Sequence, residues 1–220
     1  MGINKALIVG SGLMGSGIAQ VCAQAGIEVF LYDIVPEALN KALKNIEWSV
    51  NKFVEKGKLE EDSATIMNRI RTVFSLSDAA EADLIIEAVF ERMDLKQEIF
   101  KKIDEISRPE ALMASNTSAI SITELASVTK RPQRVLGLHF FSPVPMMQAV
   151  EVIKGLSTTE ETANAGKDFV IQIGKEPIAV NRDVAGFVIN RINFPSTMEA
   201  MRLVAEGVTT VEDIDKGLRL

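Results

Sequence analysis

Residues 6–27 read ALIVGSGLMGSGIAQVCAQAGI, and the rest of the chain is organised around how this stretch must run. The apolar segment 6–9 has the length of a buried strand. It breaks at Gly10, and Gly12 and Gly15 complete a G-x-G-x-x-G spacing before a helix-like segment that closes at Gly26. Strand, tight turn and helix in that order set the first amides of the helix at the tip of the strand, where they can hold phosphate. One glycine permits the turn, one lets backbone approach a pyrophosphate, and one lets helix pack on strand. The spacing alone is a weak signal, because glycines also serve ordinary loops. Its context adds weight. A second strand-like run, residues 28–32, ends in Asp33, 18 residues beyond Gly15. An acid there accepts hydrogen bonds from the adenosine ribose hydroxyls and repels a 2′-phosphate, so the pattern predicts NAD rather than NADP. A surface-turn aspartate is the plainer reading.

The same stretch carries no charge over 22 positions and is long enough to cross a bilayer, but five glycines, two serines and two glutamines argue against a membrane span. No basic segment with a small-residue cleavage pattern marks a signal peptide, and MGINKA lacks the Ser or Thr of a myristoylation site. The expectation is a soluble, cytoplasmic protein without a membrane partner. At 220 residues the chain can hold one large domain and part of a second. A net charge of −6 gives no support to a nucleic-acid partner, and an anionic ligand would need lysines placed locally against that field. The single cysteine, Cys22, falls mid-helix beside Val21 and Ala23, where it reads as a small buried hydrophobe. No internal disulfide is possible, which suits a reducing compartment.

Beyond Pro36 the apolar residues Leu39, Leu43, Ile46, Val50 and Phe53 recur at steps of four and three, predicting a long amphipathic helix to Glu55. Gly57 ends it, and a second helical segment, about 60–69, returns the chain to a strand at 71–74. This helical hairpin, at about 36–70, carries Lys41, Lys44, Lys52, Lys56 and Lys58, with Lys52 and Lys56 on one face. A solvated lysine face is the ordinary interpretation. Runs 83–88 and 111–115 read as strands buried on both sides, separated by a helix over about 94–106. Glu87 and Glu91 stand at the end of the first, and Asn116, Thr117 and Ser118 follow the second. Open α/β sheets bind ligands along their carboxyl edge, so Asp33, Glu91 and Asn116 at three successive strand ends are more informative together than singly.

The strand 134–139 ends at His139, the only histidine. Imidazole titrates close to neutrality, and a histidine above a cofactor site is a natural acid/base group for a hydroxyl proton; a structural histidine is the alternative. After FFSPVP the chain re-enters a strand over 147–153. An antiparallel pairing could bring Glu151, 12 residues after His139, beside the imidazole as in catalytic triads; a surface strand carboxylate is the other reading. Ser157 and Thr158 with Glu160 and Glu161 read as a capping box opening a helix that runs to Gly174. A short strand, 177–180, follows. Residues 187–206 form one helical stretch that Pro195 should kink, and Thr210 opens a final short helix. The expected architecture is α/β: a Rossmann-type doubly wound, mostly parallel sheet in an NAD-binding domain at 1–186, with the hairpin inserted, and the start of an all-helical second domain at 187–220.

The segments GSGLMGSGIAQ (10–20), EAVFERMDLKQEIF (87–100), ASNTSAISIT (114–123), GLHFFSPVPMMQAVEVIKG (137–155) and GFVINRI (186–192) resemble the short-chain L-3-hydroxyacyl-CoA dehydrogenases, most closely the bacterial 3-hydroxybutyryl-CoA enzymes. The resemblance extends over essentially the whole chain, and HFFSPVP with SNTS is far more specific than the glycine motif. It implies NAD-dependent oxidation of short (S)-3-hydroxyacyl-CoA, or the reverse reduction. His139 would be the general base and Glu151 its orienting carboxylate. Ser118 would hydrogen-bond the reacting oxygen, and Asn190 would hold the acyl end. Gly10, Gly12, Leu13, Met14, Gly15, Asp33, Glu91, Lys96 and Asn116 match NAD-binding positions, while Lys52 and Lys56 match those that meet the CoA nucleotide. Two departures stand out. Ala185 replaces the proline usual before GFV, and relatives continue past the position of Leu220 to complete a helical domain that makes a dimer. The chain is therefore expected to associate as a homodimer or higher oligomer through an apolar face of its C-terminal helices. Two further readings are kept open: a noncatalytic NAD-binding or structural protein, and a 3-hydroxyacid dehydrogenase that does not use CoA.

Overall fold

In the computed structural model, which describes residues 2–220, β1 (Lys5–Val9) delivers the chain to Gly10, whose φ of 106° is a left-handed conformation open to glycine. Helix α1 (Leu13–Gln24) then folds back over the strand. A Cβ on Gly15 would lie 1.8 Å from the Gly10 carbonyl oxygen, and one on Gly10 would lie 2.6 Å from that of Ala88, so helix and strand meet backbone to backbone. At Gly12 a Cβ would meet nothing within 4 Å. The three glycines thus divide into two that permit packing and one that faces open space. We expect Gly15→Ala to lower the melting temperature by an amount equivalent to about 2 kcal/mol or more, because the clash is with main chain that cannot rotate away. Gly12→Ala should melt like wild type and instead weaken NADH binding. Calorimetry with an NADH titration reads both.

The remaining elements wind to both sides of this start. They are β2 (Glu28–Tyr32), α2 (Pro36–Glu55), α3 (Ser63–Met67), β3 (Ile70–Val73), β4 (Leu84–Glu87), α4 (Met93–Ile106), β5 (Leu112–Ser115), α5 (Ile122–Ala126), β6 (Val135–Phe140), β7 (Ala149–Lys154), α6 (Glu160–Gln172) and β8 (Glu176–Val180). One eight-stranded sheet results, in the order β3-β2-β1-β4-β5-β6-β7-β8. Neighbours are parallel throughout except β6 and β7. The order reverses direction between β1 and β4, the switch point at which such sheets bind ligands. One apolar cluster fills the face under α1, α2 and α6, and a second fills the face under α4 and α5.

Three local expectations are corrected. The second helix of the hairpin starts only at Ser63, because the Asp62 carboxylate accepts the Thr65 amide and fixes the N-terminus there. The helix after β7 is capped by Thr159, which accepts from Thr162 N at 3.2 Å, and not by a box on Ser157 or Thr158. The Thr158 hydroxyl is drawn inward, donating to Val135 O at 2.6 Å and accepting from Gly155 N at 2.9 Å, so it tethers the β7 exit. Strand β7 starts at Ala149 because the amides of Met146 and Met147 turn back to the Pro143 carbonyl.

After β8, Gly186 and Phe187 both take positive φ, 76° and 47°, and the chain enters α7 (Ile189–Ala205) and α8 (Val211–Gly217). Pro195 lies inside α7, where the Arg191 carbonyl loses its helical partner. Neither helix has a buried residue, and Ile192, Phe194, Met198 and Met201 are exposed. Among the described residues no helix is long and apolar enough to cross a membrane.

Candidate active site

The antiparallel pairing of β6 with β7 places His139 directly opposite Glu151. His139 Nδ1 is 2.6 Å from Glu151 Oε2, with His139 3% and Glu151 0% exposed. A carboxylate can only accept here, so Nδ1 carries the proton and Nε2 presents a lone pair. That nitrogen lies 3.1 Å from the Ser118 hydroxyl, which the turn after β5 supplies. Phe141 and Phe187 flank the imidazole, with ring centroids at 4.6 and 5.6 Å.

The other Glu151 oxygen has a task that the sequence did not announce. Oε1 accepts from Val188 N and Ile189 N, both at 2.9 Å. Helix α7 has no side-chain cap of its own, so Glu151 caps it from the sheet while holding the imidazole. Burial pushes the Glu151 carboxyl up, but the hydrogen bond from His139 and the two amides together hold it below the ordinary carboxylate range. Asn190 stands half-buried in the same first turn of α7, next to the residue whose amide Glu151 binds.

A second polar group fixes the Ser118 turn. Glu87, fully buried at the end of β4, accepts from Lys96 Nζ at 2.7 Å, Val89 N at 2.7 Å and Ser115 Oγ at 2.6 Å. Lys96 also reaches Glu91 at 3.3 Å. Glu91 in turn accepts from Thr117 Oγ1, from Ser118 N at 3.0 Å and from Ala119 N at 3.3 Å. Burial acts to raise the Glu91 pKa, and the Thr117 hydroxyl, the Lys96 charge and the Ser118 amide outweigh it, leaving the carboxyl below its ordinary value. Asn116 accepts from Phe140 N at 2.9 Å, joining the turn to the strand that carries His139. The role of Glu87 was missed from sequence. Its signal was a charge ending the apolar strand LIIE, a place where a carboxylate requires a partner.

The glycine turn and Asp33 meet the demands of a dinucleotide. Gly12 is the N-cap of helix α1, which has no side-chain cap and no acid in its first turn, so the amides of Leu13, Met14 and Gly15 lie at an uncapped, positive helix end. The open space over Gly12 admits a pyrophosphate there. Asp33 Oδ2 accepts from the amide and hydroxyl of Ser11, both at 2.8 Å, which fixes the carboxylate beside that turn. The lysines are less gathered. Lys52 pairs with Glu55 at 2.7 Å and Lys56 is exposed at the C-cap of α2, on the flank of the hairpin rather than beside His139. Cys22 is sealed in the core, its thiol pushed up to about 12 by burial, and has no place in the chemistry.

Comparison with known proteins gives the family. Residues 5–184 match the family profile described as 3-hydroxyacyl-CoA dehydrogenase, NAD binding domain, and residues 186–220 match that of the 3-hydroxyacyl-CoA dehydrogenase, C-terminal domain. A probable 3-hydroxybutyryl-CoA dehydrogenase of Bacillus subtilis is 46% identical over 221 residues, spanning 100% of this chain and 77% of that protein. The solved (S)-3-hydroxybutyryl-CoA dehydrogenase of Ralstonia eutropha superposes with a TM-score of 0.93 at 44% identity, covering 99% of this chain and 77% of that one. A diketoreductase described as acting on dicarbonyl compounds superposes at 0.92 with 32% identity, covering 100% and 78%. By these matches the chain belongs to the NAD-dependent 3-hydroxyacyl-CoA dehydrogenase family.

Proposed function

We propose that the protein interconverts a short (S)-3-hydroxyacyl-CoA and its 3-oxo form, with His139 as general base. The observation that carries this reading is the chain of contacts Ser118 Oγ, His139 Nε2, His139 Nδ1 and Glu151 Oε2, at 3.1 and 2.6 Å. In the oxidative direction the C3 hydroxyl gives its proton to Nε2 of His139. Glu151 keeps the opposite nitrogen protonated and stabilises the imidazolium that forms. Ser118 donates to the reacting oxygen and, with Asn190, holds it in line, a positioning contribution to the rate. Bound NAD supplies the hydride acceptor. Gly10, Gly12, Leu13, Met14, Gly15 and Asp33 would hold its adenosine diphosphate half, with Glu91, Lys96 and Asn116 nearer the reacting end. In the reductive direction the same groups act in reverse.

The test is NADH oxidation with acetoacetyl-CoA. The diketoreductase likeness favours one competing reading, a dehydrogenase indifferent to CoA, and the lysines separate the two. Lys52→Ala with Lys56→Ala should raise the apparent KM for acetoacetyl-CoA severalfold while leaving that for free acetoacetate unchanged. Equal KM values for both substrates would favour the CoA-free enzyme. The reading extends to organisation: an NAD-binding domain at 1–186, helices 187–220 belonging to a second domain, and a homodimer formed through the exposed apolar side chains of α7. A light-scattering mass of one chain would contradict that assembly. A reducing, cytoplasmic location suits the lone buried Cys22.

A further inference from the structure

Beyond Val180 the chain buries one side chain, and it does so against the imidazole of His139. Phe187 is 1% exposed and belongs to the apolar cluster under α4 and α5. Among the described residues from 181 to 220 it is the only buried one, so the C-terminal helices are seated on the sheet at a single apolar point. The centroid of its ring lies 5.6 Å from that of His139, within the range at which aromatic rings attract.

Phe187 also holds a backbone conformation that bulky residues avoid. Its φ of 47° is left-handed, and a side chain of this size is an outlier there. Such strain persists where the surroundings over-determine it, and it gathers at functional sites. Here the turn is pinned on both sides. Upstream, Asp183 accepts from Ser121 Oγ at 2.6 Å and from Thr123 N at 2.7 Å, tying the linker to the start of α5. The Phe187 amide donates to Val184 O at 3.0 Å. Downstream, Val188 N and Ile189 N donate to Glu151 Oε1. A left-handed Phe187 followed by a right-handed Val188, at φ −104° and ψ −57°, is the alternation of hand that turns successive amides onto one anion. The strained residue thus makes the cradle that grips Glu151.

The imidazole needs what this turn supplies. Hydrogen bonds hold two edges of the ring, Nδ1 at Glu151 and Nε2 at Ser118, and neither stops it rocking about the line between them. Phe141 leaves the same strand as His139 and is only half-buried, whereas Phe187 arrives from a separate element and is itself packed in the core. We infer that Phe187 is a positioning residue for His139: its left-handed turn aims two amides at Glu151, and its ring fixes the plane of the imidazole that Glu151 holds. Seating of α7 and alignment of the base are then one event. The inference rests on the reading of His139 as general base.

His139 is the only histidine of the chain, so imidazole nitrogen NMR of the isotope-labelled, untagged protein reports it without any need for turnover. At mildly alkaline pH the wild type should show one neutral tautomer, protonated at Nδ1. Phe187→Ala should show both tautomers in exchange. Its kcat for acetoacetyl-CoA reduction should fall about tenfold to a hundredfold, the cost of a base displaced by roughly an ångström, with KM and NADH affinity held. In a His139→Gln background the same substitution should cost less than about twofold, because no base remains to be aligned. A merely structural role would lower the rate alike in both backgrounds. Phe187→Leu keeps much of the volume without the ring; it should show the same exchange with a smaller loss of kcat, and it serves if the alanine chain folds poorly. A single Nδ1-protonated tautomer in the folded variant, or equal losses in the two backgrounds, would overturn the inference. Wild-type turnover by Phe187→Ala would also remove the positioning role and leave the proposed activity standing. Tautomer exchange in the variant, with a wild type that never oxidises NADH, would do the reverse.

Discussion

A His139→Gln chain is expected to bind NADH as wild type does and to reduce acetoacetyl-CoA about a hundredfold to ten-thousandfold more slowly, the range over which a positioned general base contributes. Glutamine can still accept from Ser118 and donate to Glu151, so the pocket keeps its shape and loses only a group able to carry the proton. The residual rate, from positioning by Ser118 and Asn190, should be flat with pH where the wild-type profile bends. Turnover close to wild type would remove His139 from the mechanism while the fold and the cofactor turn stayed in place. Stopped-flow NADH binding beside steady-state rates separates these outcomes.

Glu151→Gln should be nearly as damaging to turnover, and it should also reach the helices. An amide NH₂ turned to Nδ1 forces the proton onto Nε2, the wrong tautomer for accepting one from substrate, and a loss of about a hundredfold to ten-thousandfold is expected. If the amide instead turns its oxygen to Nδ1, its NH₂ faces the donors Val188 N and Ile189 N, and the start of α7 loses its cap. The first orientation keeps every contact and costs only the tautomer; the second costs about 1–3 kcal/mol of stability. The carboxyl of Glu151 is depressed in the folded chain, so the unfolded chain takes up its proton first as pH falls. Its contribution to stability is therefore complete above the unfolded carboxylate pKa and fades as pH drops through the folded value. Melting curves from neutral to acid pH should show this loss in the wild type and a shallower one in Glu151→Gln. Identical pH slopes would mean that the carboxylate is not ionised in the folded protein.

The glycine turn, the strand ends and the His139-Glu151 pairing could all be read from residue order, because each depends on short-range rules. Spacing of glycines sets a turn, an apolar run with a polar end sets a strand and its edge, and a two-strand register brings residues 12 apart face to face. Less visible was everything set by a second or third element. Glu87 drew attention only as a charge after an apolar run; its reach to Lys96, Ser115 and Val89 depends on β4, β5 and α4 meeting. The capping box at Ser157 failed because Thr158 found a better acceptor in Val135 of β6, a competitor that local sequence does not display.

By itself, the sequence determined the sheet, its glycine turn and the facing of His139 by Glu151, since periodicity and backbone sterics act over a few residues and leave marks in the chain. Only the tertiary structure decided that Glu151 serves two masters, the imidazole and the amides of α7, and that Gln20 is buried with its Nε2 unpaired. Hydrogen-bond satisfaction is a property of the packed whole: a donor is bonded or orphaned according to what distant segments bring to it, and no pattern along the chain records that count.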